Sequence, residues 1–301
     1  MWAIEAKQLT KSFGKHKVVK GIDLQVKTGE IVGFLGRNGA GKSTFINMLT
    51  GIMEPSSGSY ALLGVQNAND AIKRQVGVMP DYSSLYGSMT AMKHLSYLAA
   101  VSGKTVSREW CIEVLKLVGL EEHANKKAAK FSFGMKKKLA LALAIIHDPQ
   151  LIFLDEPTSG LDAESVIHIH QLIQQLHQQG KTIFMTSHNL DEVEKICSRI
   201  AIMKDGSIKR VGSMEELRAY YQSTITVTIK HSSIRSTDLS IIQQWLQQVG
   251  ESLEMEKSHF TIQVESEQKI AEIIRALGTY KIDIYRVDVE EPSLEEIFLE
   301  E

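Results

Sequence analysis

Residues Gly36-Arg37-Asn38-Gly39-Ala40-Gly41-Lys42-Ser43-Thr44 fit the pattern G-x-x-x-x-G-K-[ST] and constrain this chain more than any other segment. The run Glu30-Ile31-Val32-Gly33-Phe34-Leu35 before it reads as a short apolar strand, and Ser43 to Leu49 behind it reads as a helix. Glycines let a backbone wrap an anion with its N–H groups pointing inward, and a helix N-terminus adds partial positive charge there. Lys42 then reaches the β- and γ-phosphates of a nucleotide, the Ser43 hydroxyl ligates magnesium, and Thr44 reaches the α-phosphate. Gly36, Asn38, Gly39, Ala40 and Gly41 supply the turn and its backbone donors.

A second segment, Leu151-Ile152-Phe153-Leu154-Asp155-Glu156, is a buried strand ending in two carboxylates. Asp155 at the strand end can hold Mg2+ through water. Glu156, one residue on, can polarise an attacking water as a general base. A hydrophobic run ending in Asp-Glu is common by itself. Its meaning comes from lying downstream of the phosphate loop, with Pro157-Thr158-Ser159-Gly160-Leu161-Asp162 following.

The remaining pattern frames these motifs. Ala3 to Leu9 and Val18 to Val26 read as antiparallel strands; Met92 to Val101, Arg108 to Val118 and Lys136 to Ile146 read as helices. Val166, Ile169, Ile173 and Leu176 mark an amphipathic helix, Thr182 to Thr186 a strand, Asp191 to Ser198 a helix, and Ile200 to Met203 opens a last strand pair. Near residue 220 the pattern changes to a βαββαβ order, which predicts a small ferredoxin-like α+β domain. In its final strand the apolar parity switches at Tyr285, Val287 and Val289, which predicts a bulge. Ser293 to Glu296 reads as a capping box on a terminal helix.

Composition narrows the classes. The 301 residues are 43% apolar, with 34 basic and 36 acidic side chains and a net charge of −2, so no global pull toward nucleic acid or anionic lipid follows. The longest clearly apolar stretch, Leu139 to Ile146, is far short of the ~20 residues of a bilayer span. The two cysteines, Cys111 and Cys197, are far apart and in no metal spacing, which predicts a reducing cytoplasm. His168, His170 and His177 read as part of a solvated helix face, and Lys136 to Lys138 as surface charge.

With the phosphate loop and the Asp155-Glu156 strand joined, the chain resembles the ATP-binding subunit of an ABC transporter over roughly residues 3 to 218. Phe131-Ser132-Phe133-Gly134-Met135-Lys136 stands where that family reads LSGGQ. The resemblance implies an α/β fold: a P-loop NTPase core with an antiparallel β subdomain and a helical subdomain at about 82–148. The nucleotide-binding domain would cover residues 1–219 and an accessory domain residues 220–301. It implies ATP and Mg2+ as cofactors, with Glu156 and His188 catalytic and Ser43 and Asp155 on the metal. Phe13 and Val18 would meet adenine. Ser132 and Gly134 would close over the γ-phosphate of a second subunit, and Asp162 would link the two sites of a nucleotide-dependent homodimer. The cassette would sit on the inner face of the membrane through a separate permease, with Tyr82, Leu85 and Tyr86 near the groove that receives it. The chain after residue 220 looks like the extension of ATPases serving bacterial multidrug, antibiotic and polysaccharide exporters.

Two positions depart from the family pattern. Asp81 replaces the lid glutamine after Pro80 and adds negative charge beside the γ-phosphate, and Phe133 replaces the first glycine of LSGGQ. A different reading, a soluble ABC ATPase acting on ribosomes or nucleic acid, stays open; such relatives usually carry two ATPase halves or a long coiled-coil insertion.

Overall fold

Runs such as Ile31–Leu35 and Leu151–Asp155 carry too few polar residues to face water on either side. In the computed structural model, which describes residues 1–66, 69–221 and 225–290, they lie inside a six-stranded sheet. Its order is Ser207–Gly212, Arg199–Lys204, Ile31–Leu35, Thr182–Ser187, Leu151–Asp155, Val76–Val78. Every pairing is parallel except that of the first two strands. Leu35 pairs with Ser187 and Asp155 with Thr186, so three strands end at one level. The segments leaving those ends, at Gly36, Glu156 and His188, emerge together on the carboxyl edge, where open parallel sheets bind ligands.

The chain divides into two compact units, Met1–Met214 and Glu215–Glu301. In the first, Trp2–Phe13 and His16–Lys27 pair with Ser57–Leu62 and Val65–Gln66 in a second, antiparallel sheet. Phe34 packs on Phe45 and Phe184, with ring centroids 5.1 and 5.4 Å away, and joins the phosphate-loop helix Lys42–Leu49 to the sheet. The helical segment comprises Ala91–Val101, Arg108–Leu117 and Phe133–Ile145. The strand Ser57–Leu62 has no signal of its own in the sequence: Ser57, Gly58 and Ser59 carry no apolar alternation, and its place comes from pairing Leu62 with Ile4 and Tyr60 with Ala6.

In the second unit the strand order is Glu251–Met255, His259–Val264, Ile225–His231, Ile284–Glu290, all antiparallel. With helices Ser236–Val249 and Glu267–Thr279 this is the ferredoxin-like arrangement, cored by Val227, Ile229, Leu246, Phe260 and Ile273. Lys230 pairs with Arg286 but His231 pairs with Ile284, so Tyr285 is the extra residue of the expected bulge. The capping box at Ser293 to Glu296 lies outside the described residues.

Candidate active site

Gly41 caps the helix Lys42–Leu49 at φ 105°, a backbone region that side chains other than hydrogen rarely enter. A Cβ there would also lie 3.0 Å from the Val18 carbonyl oxygen. The loop therefore closes tightly and aims the first, unpaired N–H groups of the helix outward. A cavity of about 290 Å3 opens over them, lined by Val18, Arg37, Asn38, Gly39, Gly41, Lys42, Ser43, Thr44 and Glu156. Ala40 is buried beneath the loop. Lys42 is only 6% exposed; its ammonium donates to the Gly36 carbonyl at 2.5 Å and lies 3.4 Å from Glu156 Oε1.

Glu156 stands between two partners from different strand ends. Its Oε2 meets His188 Nδ1 at 2.7 Å, while Oε1 faces Lys42 without a hydrogen bond. Behind it, the Glu156 N–H donates to Thr186 Oγ1 at 3.0 Å, and the Thr186 hydroxyl donates to Asp155 Oδ1 at 2.5 Å. A second cavity of about 580 Å3 is lined by Ser43, Asp81, Tyr82, Phe133, Lys137, Asp155 and Glu156 among others. Ser43 and Glu156 line both cavities, so a polyphosphate and a base meet at one wall. Ser43 and Asp155 offer only hard oxygen donors, and among the described residues no cluster of three His, Cys, Asp or Glu side chains exists. Two protein oxygens supplemented by phosphate and water suit Mg2+, not a metal that needs an all-protein cage.

The family model described as ABC transporter matches residues 19–159, and one described as ATP-binding protein DrrA1-3-like, C-terminal domain, matches residues 212–301. The linearmycin resistance ATP-binding protein LnrL of Bacillus subtilis (strain 168) is 32% identical over 98% of this chain and 97% of its own length. This chain belongs to the ABC transporter ATP-binding family. The bacitracin transport ATP-binding protein BcrA of Enterococcus faecalis is 33% identical over 99% of the chain and 95% of its own. A solved dimeric bacterial ABC transporter cassette superposes with a TM-score of 0.66 at 27% identity, covering 70% of this chain and 98% of that one. Members of this family hydrolyse ATP to drive a separate membrane permease, working as paired cassettes, and this chain is such an ATPase subunit.

Other residues singled out in this cassette lie around the site. Phe13 sits at the end of its strand, 49% exposed as a residue, with the Lys11 ammonium 5.5 Å from its ring centroid; it does not line either cavity. Asp81 turns its carboxylate inward on its own loop, accepting from the Ser83 N–H at 2.8 Å. Asp162 caps the helix Ala163–Gln178, and the Ser165 N–H it accepts holds its carboxyl below the usual carboxylate range. Ser132 caps Phe133–Ile145 by accepting from the Met135 N–H at 3.3 Å; neither Ser132 nor Gly134 lines the two cavities.

Phe133 does more than occupy a glycine's place. Its ring meets Tyr82 edge-on at 4.8 Å, and a Cβ on Gly160 would lie 2.9 Å from it. The ring thus braces the loop after Asp81 against the loop after Glu156. Phe133→Gly removes this aromatic pair and puts glycine in a helix first turn, an expected loss of about 1–2 kcal/mol of stability. Denaturant unfolding of the variant checks it; an unchanged midpoint would show that the ring holds nothing.

Two surface readings are corrected. His170 is half-buried and its Nε2 lies 3.2 Å from Glu192 Oε1, while His177 Nε2 bonds the Gly29 carbonyl at 2.8 Å. Glu192 is 5% exposed and also accepts from the Thr158 hydroxyl and, at 2.7 Å, from the Ser187 hydroxyl. Burial raises its pKa, but the hydrogen bonds from His170, Thr158 and Ser187 outweigh that and leave it lowered. This network ties the segments beyond Glu156 and before His188 together. Lys137, expected on the surface, is 5% exposed and donates to the Glu156 carbonyl at 2.5 Å. Desolvation pulls its ammonium below the usual lysine range, against the raising effect of Glu156, Glu192 and Asp155. One signal was available: Lys137 shares a helix face with buried Ala140, Leu141 and Ala144.

Proposed function

We propose that this cassette powers an exporter of antibiotic-class compounds, with Glu156 as the general base for ATP hydrolysis. The observation that carries the chemistry is the single carboxylate held between the Lys42 ammonium at 3.4 Å and His188 at 2.7 Å. In this reading Lys42 and the loop amides bind the β- and γ-phosphates, Thr44 the α-phosphate, and Phe13 and Val18 the adenine. His188 orients the carboxylate and contacts the γ-phosphate, and Glu156 takes the proton of the attacking water. Ser43 and Asp155 would hold Mg2+, which supplies charge neutralisation on the phosphate oxygens when bound. In this reading Ser132 and the Gly134 amide, which line neither cavity of their own chain, reach the γ-phosphate of a second chain, and Asp162 lies between the paired sites. Hydrolysis removes the charge that both halves grip, and the pair loosens.

Among the described residues no helix is long and apolar enough to cross a membrane. In this reading a separate permease holds the cassette at the inner face. Tyr82, Leu85 and Tyr86 form the contact, with Tyr86 57% exposed and Tyr97 ring-to-ring with it at 6.3 Å. Support for export comes from relatives named for linearmycin resistance and bacitracin transport, which match the chain over nearly its whole length, including residues 220–301. Affinity purification from detergent-solubilised membranes is expected to bring down a multi-spanning protein. Hydrolysis by that complex should rise when a linearmycin or bacitracin is added. Recovery with ribosomes or nucleic acid, and with no membrane protein, overturns the reading in favour of the soluble alternative.

A further inference from the structure

Among the described residues Glu156 is one of seven other than glycine with a positive φ, 48°, a region that the surrounding structure must hold in place. Both of its peptide groups are held from outside the loop. Its N–H is anchored on Thr186, at the end of the neighbouring strand, and its carbonyl accepts from the Lys137 ammonium at 2.5 Å. Lys137 comes from the second turn of Phe133–Ile145, a different part of the chain, and its ammonium also lies 5.6 Å from the Phe133 ring centroid. A buried lysine is costly unless its charge is satisfied, and here the carbonyl and the aromatic face satisfy it.

We propose that Lys137 is a positioning residue for the base: its ammonium, clamped to the Glu156 carbonyl, holds the left-handed backbone that aims the Glu156 carboxylate between Lys42 and His188. The inference rests on the reading of Glu156 as the base. The Thr186 anchor holds the peptide unit before Glu156 and the Lys137 anchor the one after it, where the Ser159 N–H adds only a long contact of 3.4 Å to the same carbonyl; without Lys137 the residue relaxes toward an ordinary backbone conformation and swings its carboxylate. Because Lys137 sits on the helix that begins with the signature segment, movement of that helix is transmitted to the base directly.

The test uses the full-length chain with Lys137→Met, which keeps the stem but removes the charge and the donor, and Lys137→Arg, which keeps both. Lys137→Met is expected to lower kcat roughly ten- to a hundredfold, the scale of a small misplacement of a reacting group, with KM for ATP within about twofold. Lys137→Arg is expected to retain most of kcat. Adding Lys137→Met to Glu156→Gln should cause no further loss, because Lys137 acts only through Glu156. An unchanged kcat in Lys137→Met, a loss seen in KM instead of kcat, or an equal loss in Lys137→Arg each overturns the proposal. Should Lys137→Met fail to fold, as judged by circular dichroism, Lys137→Leu, which also lacks a donor, takes its place with the same expected loss. If Glu156→Gln alone leaves hydrolysis intact, it is the reading of the base that fails, a result distinct from any of these.

Discussion

Glu156→Gln is expected to bind ATP, pair, and almost cease to turn over. The substitution keeps the size and reach of the side chain, so one amide atom can still meet His188 where Oε2 now lies at 2.7 Å. What is lost is the capacity to accept a proton, and removal of a general base costs on the order of a hundred- to ten-thousandfold in rate. The same change removes a negative charge 3.4 Å from Lys42, which leaves that ammonium more available to the phosphates, so ATP affinity should hold or rise. With the γ-phosphate retained, Ser132 and Gly134 of each chain are expected to stay against the nucleotide of the other. Size-exclusion chromatography with light scattering should then show a dimer with ATP and a monomer without it. A second chain ending at residue 221 separates nucleotide-driven pairing from any pairing through residues 222 to 301. A monomer with ATP demonstrably bound would defeat the shared-site arrangement; full hydrolysis would remove Glu156 from the role of base.

Lys42→Ala strikes the other side of the same contact. Lys42 is buried, and its ammonium holds the loop through the Gly36 carbonyl while offsetting the Glu156 carboxylate. Alanine leaves Glu156 Oε1, already without a hydrogen bond, facing the phosphates with no cation between them. Loss of a charge-assisted contact in a desolvated site costs roughly 1.5–3 kcal/mol, about ten- to a hundredfold in affinity. The freed Gly36 carbonyl weakens the loop further, so turnover should fall more than binding. Calorimetric titration with Mg·ATP checks the first, and phosphate release at saturating ATP checks the second. Unchanged affinity would take Lys42 out of the phosphate site.

Much of the core was legible from local pattern. The buried strands Ile31–Leu35 and Leu151–Asp155, and the core Ile183 to Met185 of Thr182–Ser187, announce themselves as short apolar runs, and the ferredoxin-like order and the bulge at Tyr285 follow from alternation and its break. Short polar elements were not: Ser57–Leu62 and Val65–Gln66 have no period of their own and exist because a neighbouring strand supplies their hydrogen bonds. The site divides in the same way. Spacing within one segment marked Gly36 to Thr44 as candidates, because a loop that wraps phosphate needs particular residue types in a particular order, and Asp155 and Glu156 became candidates by following it in the chain. It could not say that the Asp81 carboxylate is turned onto Ser83, or that Phe133 packs on Tyr82.

By itself, then, the sequence determined which residues are candidates for phosphate and proton chemistry and which of them follow a strand or open a helix, since both depend on neighbours a few positions away. Only the tertiary structure decided what faces them. The parallel order that places the ends of Ile31–Leu35, Leu151–Asp155 and Thr182–Ser187 side by side puts Lys42, Glu156 and His188 in contact. The packing of Phe133–Ile145 behind that edge turns Lys137 from an expected surface charge into a buried anchor, and the same packing logic draws His170 onto Glu192. Helical periodicity states which face a residue occupies; whether that face meets water, a carboxylate or a peptide carbonyl depends on an element far away in the chain.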